Sequence, residues 1–393
     1  MSSRTDVFIT TPLRTPIGAF GKSLKEFSAP ELGTHVAKSV IEQSKLFPDD
    51  IDQVIMGHAR QAGTGPNPAR QVAYFSGIPK EKEAMTINQA CNSGLKAIML
   101  AAQSIQCHES QIILAGGMES MSNTPYFLPK ARWGMRLGHD QIVDGMYKDG
   151  FLCVLSQLVM GETAENLVER YKIKREEQDE YAARSQNRCE KAIEKGLFKS
   201  EITPIILKDK SLMDFDEHPR KGVTIASLSK LKPVFKKDGS IHAGNSSGIT
   251  DGAAGVLVCN EKSLSRIKDN SPKARIVDFS VVGVDPKIMG IGPVPAVKNI
   301  LEKTKLKLNQ IDLIELNEAF AAQVLACDRE LQFDHEKLNV NGGAIALGHP
   351  IGATGARIVV TLLHEMKRRK VRYGLATLCV SGGLGGAMIL EKV

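Results

Sequence analysis

The sequence predicts an α/β protein whose sheet is covered by helices on both faces. Short apolar runs, such as residues 111–115, alternate with longer segments in which apolar residues recur every three or four positions, such as residues 353–369. Strands that alternate with helices in this way favour a layered architecture. The chain has 393 residues, 42% of them hydrophobic, which is enough for one large domain or two to three smaller ones around a substantial core.

The elements follow one another in two similar series. The first series has strands at 6–10, 51–56, 84–88 and 111–115 and helices at 30–44, 68–76 and from Cys91 to about 105, with strands at 253–259 and 275–282 after a long interruption. The second has helices at 295–301, 319–330 and 353–369 and strands at 312–316, 340–343, 374–379 and 387–391. A strand, a Gly-rich turn, a long helix and a buried strand occur in both series, so we expect two similar halves that meet at a shared site.

The composition changes at Gly116, where the alternation gives way to polar, Pro-punctuated segments and two helices at 163–171 and 175–195. We therefore predict an inserted loop domain at 121–243. The N-terminal half would comprise residues 1–120 and 244–270, and the C-terminal half residues 271–393.

Composition and charge argue against several classes of protein. The seven cysteines form no C-x-x-C pair or other metal-ligand spacing, so we expect neither a disulfide framework nor a metal site, and reduced thiols indicate a cytoplasmic protein. The 51 basic and 44 acidic residues give a net charge of +7 without a basic stripe, which does not favour nucleic acid and suits an anionic small molecule. We see no signal peptide and no membrane-spanning run.

Cys91 lies where a short strand turns into a helix, in the stretch INQACNSGLKAIM. Asn92 or Ser93 is placed to cap this helix, and the free amides and dipole of its first turn would favour a thiolate. The position therefore suits a nucleophile. A small buried hydrophobic cysteine is the alternative interpretation, because most isolated cysteines are of that kind.

Two further turns after strands carry reactive side chains. His349 stands in a Gly-His-Pro turn, where it either accepts a proton from a cysteine or is simply a hydrogen-bonded loop histidine. Cys379 opens CVSGGLGG, whose small residues leave amides unshielded. The spacing fits neither a P-loop nor a dinucleotide fingerprint, so an oxyanion hole beside a second thiol is the better interpretation. Ligands of open α/β sheets lie beyond the carboxyl ends of strands, so we expect these turns to converge.

Four stretches together resemble the active-site blocks of the thiolases: NQACNSGLKA, NEAFAAQ, NVNGGAIALGHPIGATGAR and CVSGGLGGA. They occur in the family's order, and the resemblance extends over nearly the whole chain through GGMESMSN, MGETAEN and AGNSSGITDGAA. It implies the thiolase fold, in which two βαβαβαββ halves form a layered α-β-α-β-α core with an inserted loop domain. Among thiolases the sequence is most similar to the acetyl-CoA acetyltransferases, which use coenzyme A thioesters as substrates without another cofactor and usually form tetramers.

The resemblance implies a role for each reacting residue. Cys91 would carry the acyl group as a thioester, His349 would take its proton, and Cys379 would be the second acid and base. Asn317 would hold a water that, with His349, binds the enolate oxygen. The backbone N–H groups of Cys91 and Ser381 would form a second oxyanion hole, where Ser381 replaces a glycine that the family often has.

The resemblance also implies a substrate-binding surface on the inserted domain. Coenzyme A would contact Arg220 and Ser227 near the nucleotide and Ala243 and Ser247 along the pantetheine. Met160 would narrow the acyl pocket, and Phe320 would also belong to the substrate-binding residues. Met160 could instead be an ordinary core residue. Val159 replaces a histidine that acetoacetyl-specific members commonly carry, which leaves open a broader 3-ketoacyl-CoA thiolase. A non-catalytic CoA-binding scaffold is the alternative from another class. Residues 124–148, rich in aromatic and basic side chains, are the expected tetramer contact.

Overall fold

A computed structural model describes residues 5–393 and contains one large mixed sheet. Its strands and the short hairpin strands beside it are β1 (Val7–Arg14), β2 (Gly18–Ala19), β3 (Gln53–Gly57), β4 (Glu83–Ile87), β5 (Ile112–Ser120), β6 (Tyr126–Phe127), β7 (Val143–Asp144), β8 (Leu152–Cys153), β9 (Leu158–Val159), β10 (Ile205–Ile206), β11 (Leu212–Met213), β12 (Thr250–Asn260), β13 (Lys273–Gly283), β14 (Leu313–Leu316), β15 (Tyr373–Val380) and β16 (Leu384–Lys392).

The helices are α1 (Ala29–Ser44), α2 (Pro68–Phe75), α3 (Ser93–Gln106), α4 (Met160–Tyr171), α5 (Arg175–Glu194), α6 (Ile225–Leu228), α7 (Glu261–Leu264), α8 (Pro293–Thr304), α9 (Ala321–Leu331), α10 (Ala344–Leu347) and α11 (Ile351–Arg369). Short 3-10 turns lie at Pro48–Asp50, Ala90–Asn92, Met121–Asn123, Ala131–Trp133, Pro286–Ile291 and Leu308–Gln310, with a π turn at Tyr147–Phe151. Within residues 5–393 no helix has the length and apolar character needed to cross a membrane.

The two halves of the sheet repeat one strand order. The first half runs β4-β3-β5-β12-β1, with parallel pairs around β3 and antiparallel pairs around β12. The second half runs β14-β15-β16-β13, again parallel at β14 and antiparallel at β16, with an isolated parallel bridge from Ile314 to Leu338 where the first half has β4. The halves join where β1 pairs with β13 over three residues. The internal repeat predicted from the sequence is therefore present in the strand order.

Helices and strands form five layers, α-β-α-β-α. One apolar core lies between α1, α2 and the first half of the sheet, and another lies between α8, α9 and the second half. A central core, built on α3 and α11, touches strands of both halves. The two central helices cross closely, because a Cβ on Gly94 would collide with α11 and one on Gly355 would collide with α3. This crossing brings the starts of the two helices together.

Most predicted elements are present with small shifts of their ends, but the predicted strand at 340–343 is wrong. Asn339 and Gly342 have positive φ, 45° and 77°, and the segment is a turn. The side chain of Asn339 donates to the carbonyl of Leu316 and accepts its amide, both at 2.9 Å. An amide side chain thus makes the edge hydrogen bonds that a strand would have made.

Between β5 and β12 the chain leaves the sheet and contributes α4, α5, α6 and the three short hairpins. A buried ion network ties this segment to β1. The guanidinium of Arg14 donates to Glu201 at 2.7 Å and to both oxygens of Asp216 at 2.6 and 2.8 Å, with all three side chains almost fully buried. The extent of the inserted domain, 121–243, stays a prediction.

Candidate active site

Cys91 lies in the 3-10 turn that links β4 to α3, partly open to a pocket. The predicted cap is wrong in detail, because neither Asn92 nor Ser93 accepts an amide of the first helical turn. The Ser93 hydroxyl instead accepts the amide of Gln89 and donates to the carbonyl of Ala90, and this fixes the turn. Ala90 has a positive φ of 46°, so the backbone bends sharply just before the cysteine.

His349 is held by the start of α11. Gly348 before it has a φ of 97°, a conformation that favours glycine, and Pro350 after it is the N-cap residue of the helix. The hydroxyl of Thr354 donates to the carbonyl of Pro350 at 2.9 Å, so at 2.6 Å it accepts a hydrogen bond from Nδ1–H of His349. The proton of the neutral ring is thereby placed on Nδ1, and Nε2 is left as the acceptor.

The free nitrogen faces the thiol. Nε2 of His349 lies 3.3 Å from Sγ of Cys91 and 3.5 Å from Nδ2 of Asn317. Oδ1 of Asn317 is buried and accepts no hydrogen bond from residues 5–393. The predicted convergence of Cys91, His349 and Asn317 is therefore present, and the amide of Asn317 retains an acceptor beside the histidine.

Burial keeps the Cys91–His349 pair neutral. Desolvation, together with the charges of the nearby cations Arg357 and Arg60, lowers the pKa of His349 to about 3. Desolvation raises the pKa of Cys91, although backbone N–H groups of Ser381 and of Cys91 itself act in the opposite direction. The expectation of an easily formed thiolate is therefore wrong in this structure, because the loss of solvent outweighs the amides.

The second thiol closes the other side of the site. Cys379 lies at the end of β15, and burial raises its pKa well above the usual range, with the neighbouring Cys91 acting in the same direction. In the turn that follows, positive φ values of 86° fall on Gly382 and Gly383 and not on Ser381. Serine is therefore accommodated without strain at position 381 while its amide points to the sulfur of Cys91.

A pocket of about 640 Å³ opens onto Cys91, His349 and Cys379. Its wall includes Ser381, predicted for the oxyanion hole, and most of the residues predicted to bind substrate: Met160, Arg220, Ala243, Ser247 and Phe320. Ser227 is not part of this wall, since its hydroxyl donates to the carbonyl of Thr224 in the turn at α6, on the exposed surface. In residues 5–393 no group of three or more His, Cys, Asp or Glu side chains is arranged to hold a metal ion.

Sequence reasoning missed several residues that shape the site. Thr354 was visible only as a small residue in a Gly-rich helix start. Glu119, at the end of β5, accepts the amides of Arg60 and Gly352 at 3.0 and 2.8 Å and lies 3.2 Å from the ring of His58. Although burial raises the pKa of Glu119, the contact with His58 and the charge of Arg60 lower it overall. Thr354 and Glu119 both lie in stretches that resemble thiolase blocks, but the sequence does not show which groups their side chains contact, and the partners of Glu119 are 59 and 233 residues away.

The site brings together a cysteine in contact with a histidine, a second thiol and the backbone N–H group of Ser381, a set of groups that suits nucleophilic catalysis. A family model for the N-terminal domain of thiolases matches residues 7–262, and one for the C-terminal domain matches residues 270–392. The chain therefore belongs to the thiolase family, whose members are acyltransferases.

The relatives cover the whole chain. An acetyl-CoA acetyltransferase of Pseudomonas aeruginosa is 51% identical over 391 residues, which are 98% of this chain and 99% of the relative. The crystal structure of an acetyl-CoA acetyltransferase of Bacillus anthracis is 47% identical with a TM-score of 0.96, covering 100% of both chains. Human mitochondrial 3-ketoacyl-CoA thiolase in complex with CoA is 44% identical with a TM-score of 0.95, covering 99% of this chain and 98% of the other. The thiolase fold expected from the resemblance is confirmed.

Proposed function

We propose that the protein is an acetyl-CoA C-acetyltransferase, which reversibly converts two acetyl-CoA into acetoacetyl-CoA and free CoA. The observation that carries the proposal is the 3.3 Å contact between Nε2 of His349 and Sγ of Cys91 in a pocket that Cys379 also lines. A single nucleophile would suffice for hydrolysis of a thioester. The second buried thiol suits carbon–carbon bond chemistry, which needs a separate acid and base at the methyl carbon.

In the cleavage direction, Sγ of Cys91 attacks the 3-oxo carbon of acetoacetyl-CoA while Nε2 of His349 takes the thiol proton. The oxyanion is stabilised by the backbone N–H groups of Cys91 and Ser381. The bond between C2 and C3 then breaks, and Cys379 gives its proton to C2, which releases acetyl-CoA. The thiol of a second CoA gives its proton to Cys379, attacks the acetyl group on Cys91, and the cysteine recovers its proton from His349.

The preference for a short acyl chain is supported by the side chains that border the inner pocket. Met160 and Phe320 both line it, and Phe320 packs edge to face against Phe235 with ring centroids 6.1 Å apart. Val159 lines the pocket where acetoacetyl-specific members carry a histidine. The relatives are named both acetyl-CoA acetyltransferase and 3-ketoacyl-CoA thiolase, so a broader thiolase of fatty-acid degradation is the second candidate.

A chain-length profile separates these two candidates. We expect kcat/KM for thiolysis to fall at least tenfold from acetoacetyl-CoA to substrates of more than six carbons, since an extra methylene that does not fit costs on the order of 1–3 kcal/mol. A flat profile from four to twelve carbons would favour the broader enzyme. Binding of CoA without turnover of any 3-oxoacyl-CoA would favour the non-catalytic scaffold.

The chemistry is tested by substitution of each thiol. Cys91→Ser should abolish the acyl-enzyme seen by mass spectrometry after mixing with acetoacetyl-CoA. Cys379→Ser should still exchange an acyl group between CoA molecules at Cys91 while losing condensation. Normal thiolysis and acyl-enzyme in Cys91→Ser would overturn the mechanism.

The same proposal covers the outer contacts and the assembly. Coenzyme A would extend past Ser247 and Ala243 towards Arg220 and Ser227, and no other cofactor is required. The proposal includes a homotetramer in the cytoplasm. An assembly is supported by the exposed hydrophobic side chains of the predicted contact segment, of which Trp133 is 85% and Leu137 98% exposed. Sedimentation as a monomer would count against the tetramer.

A further inference from the structure

Arg60 is a buried cation that lines the active-site pocket and has no charged partner among residues 5–393. The residue is only 5% exposed, yet its Nε has no hydrogen-bond partner among residues 5–393, and no carboxylate of that range lies within ion-pair distance of the guanidinium. Buried arginines are ordinarily paired, because an uncompensated buried charge is costly. Because residues 5–393 supply no such partner, the guanidinium is free to receive an acceptor from a molecule bound in the pocket.

Glu119, a carboxylate on which the charge of Arg60 acts, already has other hydrogen-bond partners. Glu119 accepts the backbone amide of Arg60 rather than its side chain, and its remaining contacts are the amides of Ala59 and Gly352 and the ring of His58. It moderates the charge of the guanidinium through space without accepting a hydrogen bond from it.

The guanidinium is held in place by close packing. Phe151 presents its ring 5.8 Å from the guanidinium carbon, and a Cβ on Gly150 would collide with the guanidinium itself. Arg60, Gly150 and Phe151 line the same pocket as Cys91, and the charge of Arg60 lowers the pKa values of both Cys91 and His349. The cation is thus held in the wall of the pocket onto which the sulfur of Cys91 opens.

We propose that Arg60 binds a carboxylate at the far end of the acyl chain, so that the enzyme also accepts 3-oxoacyl-CoA substrates derived from dicarboxylic acids. The planar, permanently charged fork of arginine suits a carboxylate. This inference rests on the proposed thiolase reaction. Cys91 attacks the 3-oxo carbon, the bond between C2 and C3 breaks, and C2 receives the proton of Cys379 and leaves as acetyl-CoA. The acyl group with its carboxylate stays on Cys91 until the thiol of CoA displaces it.

The test compares two substrates of equal chain length, 3-oxohexanedioyl-CoA with its terminal carboxylate and neutral 3-oxohexanoyl-CoA. The quantity measured is the ratio of their kcat/KM values in thiolysis, in which any general effect of a substitution on Cys91 cancels. We expect the wild-type ratio to exceed one and to fall about tenfold to a hundredfold in Arg60→Gln, the range for a lost hydrogen bond to a charged group. Arg60→Lys should give an intermediate ratio. Arg266→Gln, at a surface arginine that pairs with Asp50, is the matched control and should keep the wild-type ratio.

The outcomes separate this inference from the proposed function. If neither substrate nor acetoacetyl-CoA is cleaved, the thiolase reaction itself is wrong. If acetoacetyl-CoA is cleaved but the wild-type ratio is below one, or Arg60→Gln leaves it unchanged, carboxylate binding is overturned. An equal loss for both substrates in Arg60→Gln would also overturn it, because Arg60 would then act on CoA or on Cys91.

Discussion

A substitution of Thr354 tests whether its hydroxyl fixes the tautomer of His349, the proposed base. Thr354→Val keeps the shape of the side chain and removes the hydroxyl that accepts Nδ1–H of His349 at 2.6 Å. A buried donor left without a partner costs about 1–3 kcal/mol, and the ring can avoid this cost by moving its proton to Nε2 or by turning. Either change takes the acceptor away from Cys91. An unfavourable shift of about 1.4–2.7 kcal/mol corresponds to a loss of kcat of about tenfold to a hundredfold.

The assay is steady-state cleavage of acetoacetyl-CoA, together with the rate at which the acyl-enzyme appears in a rapid-mixing experiment. Thr361→Val is a control from the same helix, because its buried hydroxyl donates to Glu201 at 3.2 Å, away from the site. It should lose stability and keep its rate of acylation. Thr354→Ser restores the hydroxyl and should restore most of kcat. A folded Thr354→Val enzyme that acylates within twofold of wild type would refute the assigned tautomer.

Three further predictions follow from the same contacts. Because burial raises the pKa of Cys91, its alkylation by iodoacetamide should accelerate as the pH rises past 9, and a plateau of high reactivity between pH 5 and 8 would instead indicate a thiolate–imidazolium pair. Ser381→Gly and Ser381→Ala should keep kcat within about threefold, since the proposed contact is the backbone N–H, and a hundredfold loss would assign the work to the hydroxyl. Arg14→Met should lower the free energy of unfolding in urea by about 3–5 kcal/mol, because two buried carboxylates lose their partner; an unchanged midpoint would contradict this.

The sequence predicts the main strands and helices better than the short segments at the edge of the sheet. The strand β5 begins with a continuous apolar run, residues 112–115, and α11 has a clear helical period, so the local pattern is sufficient to predict both elements. The turn at 340–343 was mistaken for a strand because its composition is suitable for one. What decides its structure is Asn339, whose side chain hydrogen-bonds to Leu316, 23 residues earlier in the chain. A contact of this kind leaves no periodic signal.

The residues of the site also differ in how well the sequence predicts them. Cys91 and His349 were found because each stands in a turn with an unusual sequence, and their convergence followed from the two similar halves. Thr354 and Arg60 were not found, because threonine in a helix and arginine after a strand are ordinary in isolation. Their roles depend on three-dimensional contacts. Thr354 accepts a hydrogen bond from His349, whereas Nε of Arg60 has no hydrogen-bond partner among the described residues.

The electrostatics of the pair also revise the first interpretation of Cys91. The helix start alone suggested a preformed thiolate, yet the close crossing of α3 and α11 at Gly94 and Gly355 buries the base beside the thiol and makes charge separation costly. Proton transfer from Cys91 to His349 then becomes favourable only when another charge is stabilised at the same time. The developing oxyanion, bound by the amides of Cys91 and Ser381, would be that charge. The thiol of Cys91 is therefore a weak nucleophile in the free enzyme. It would become a strong one when substrate is bound, because the oxyanion that forms is then stabilised as the proton moves to His349.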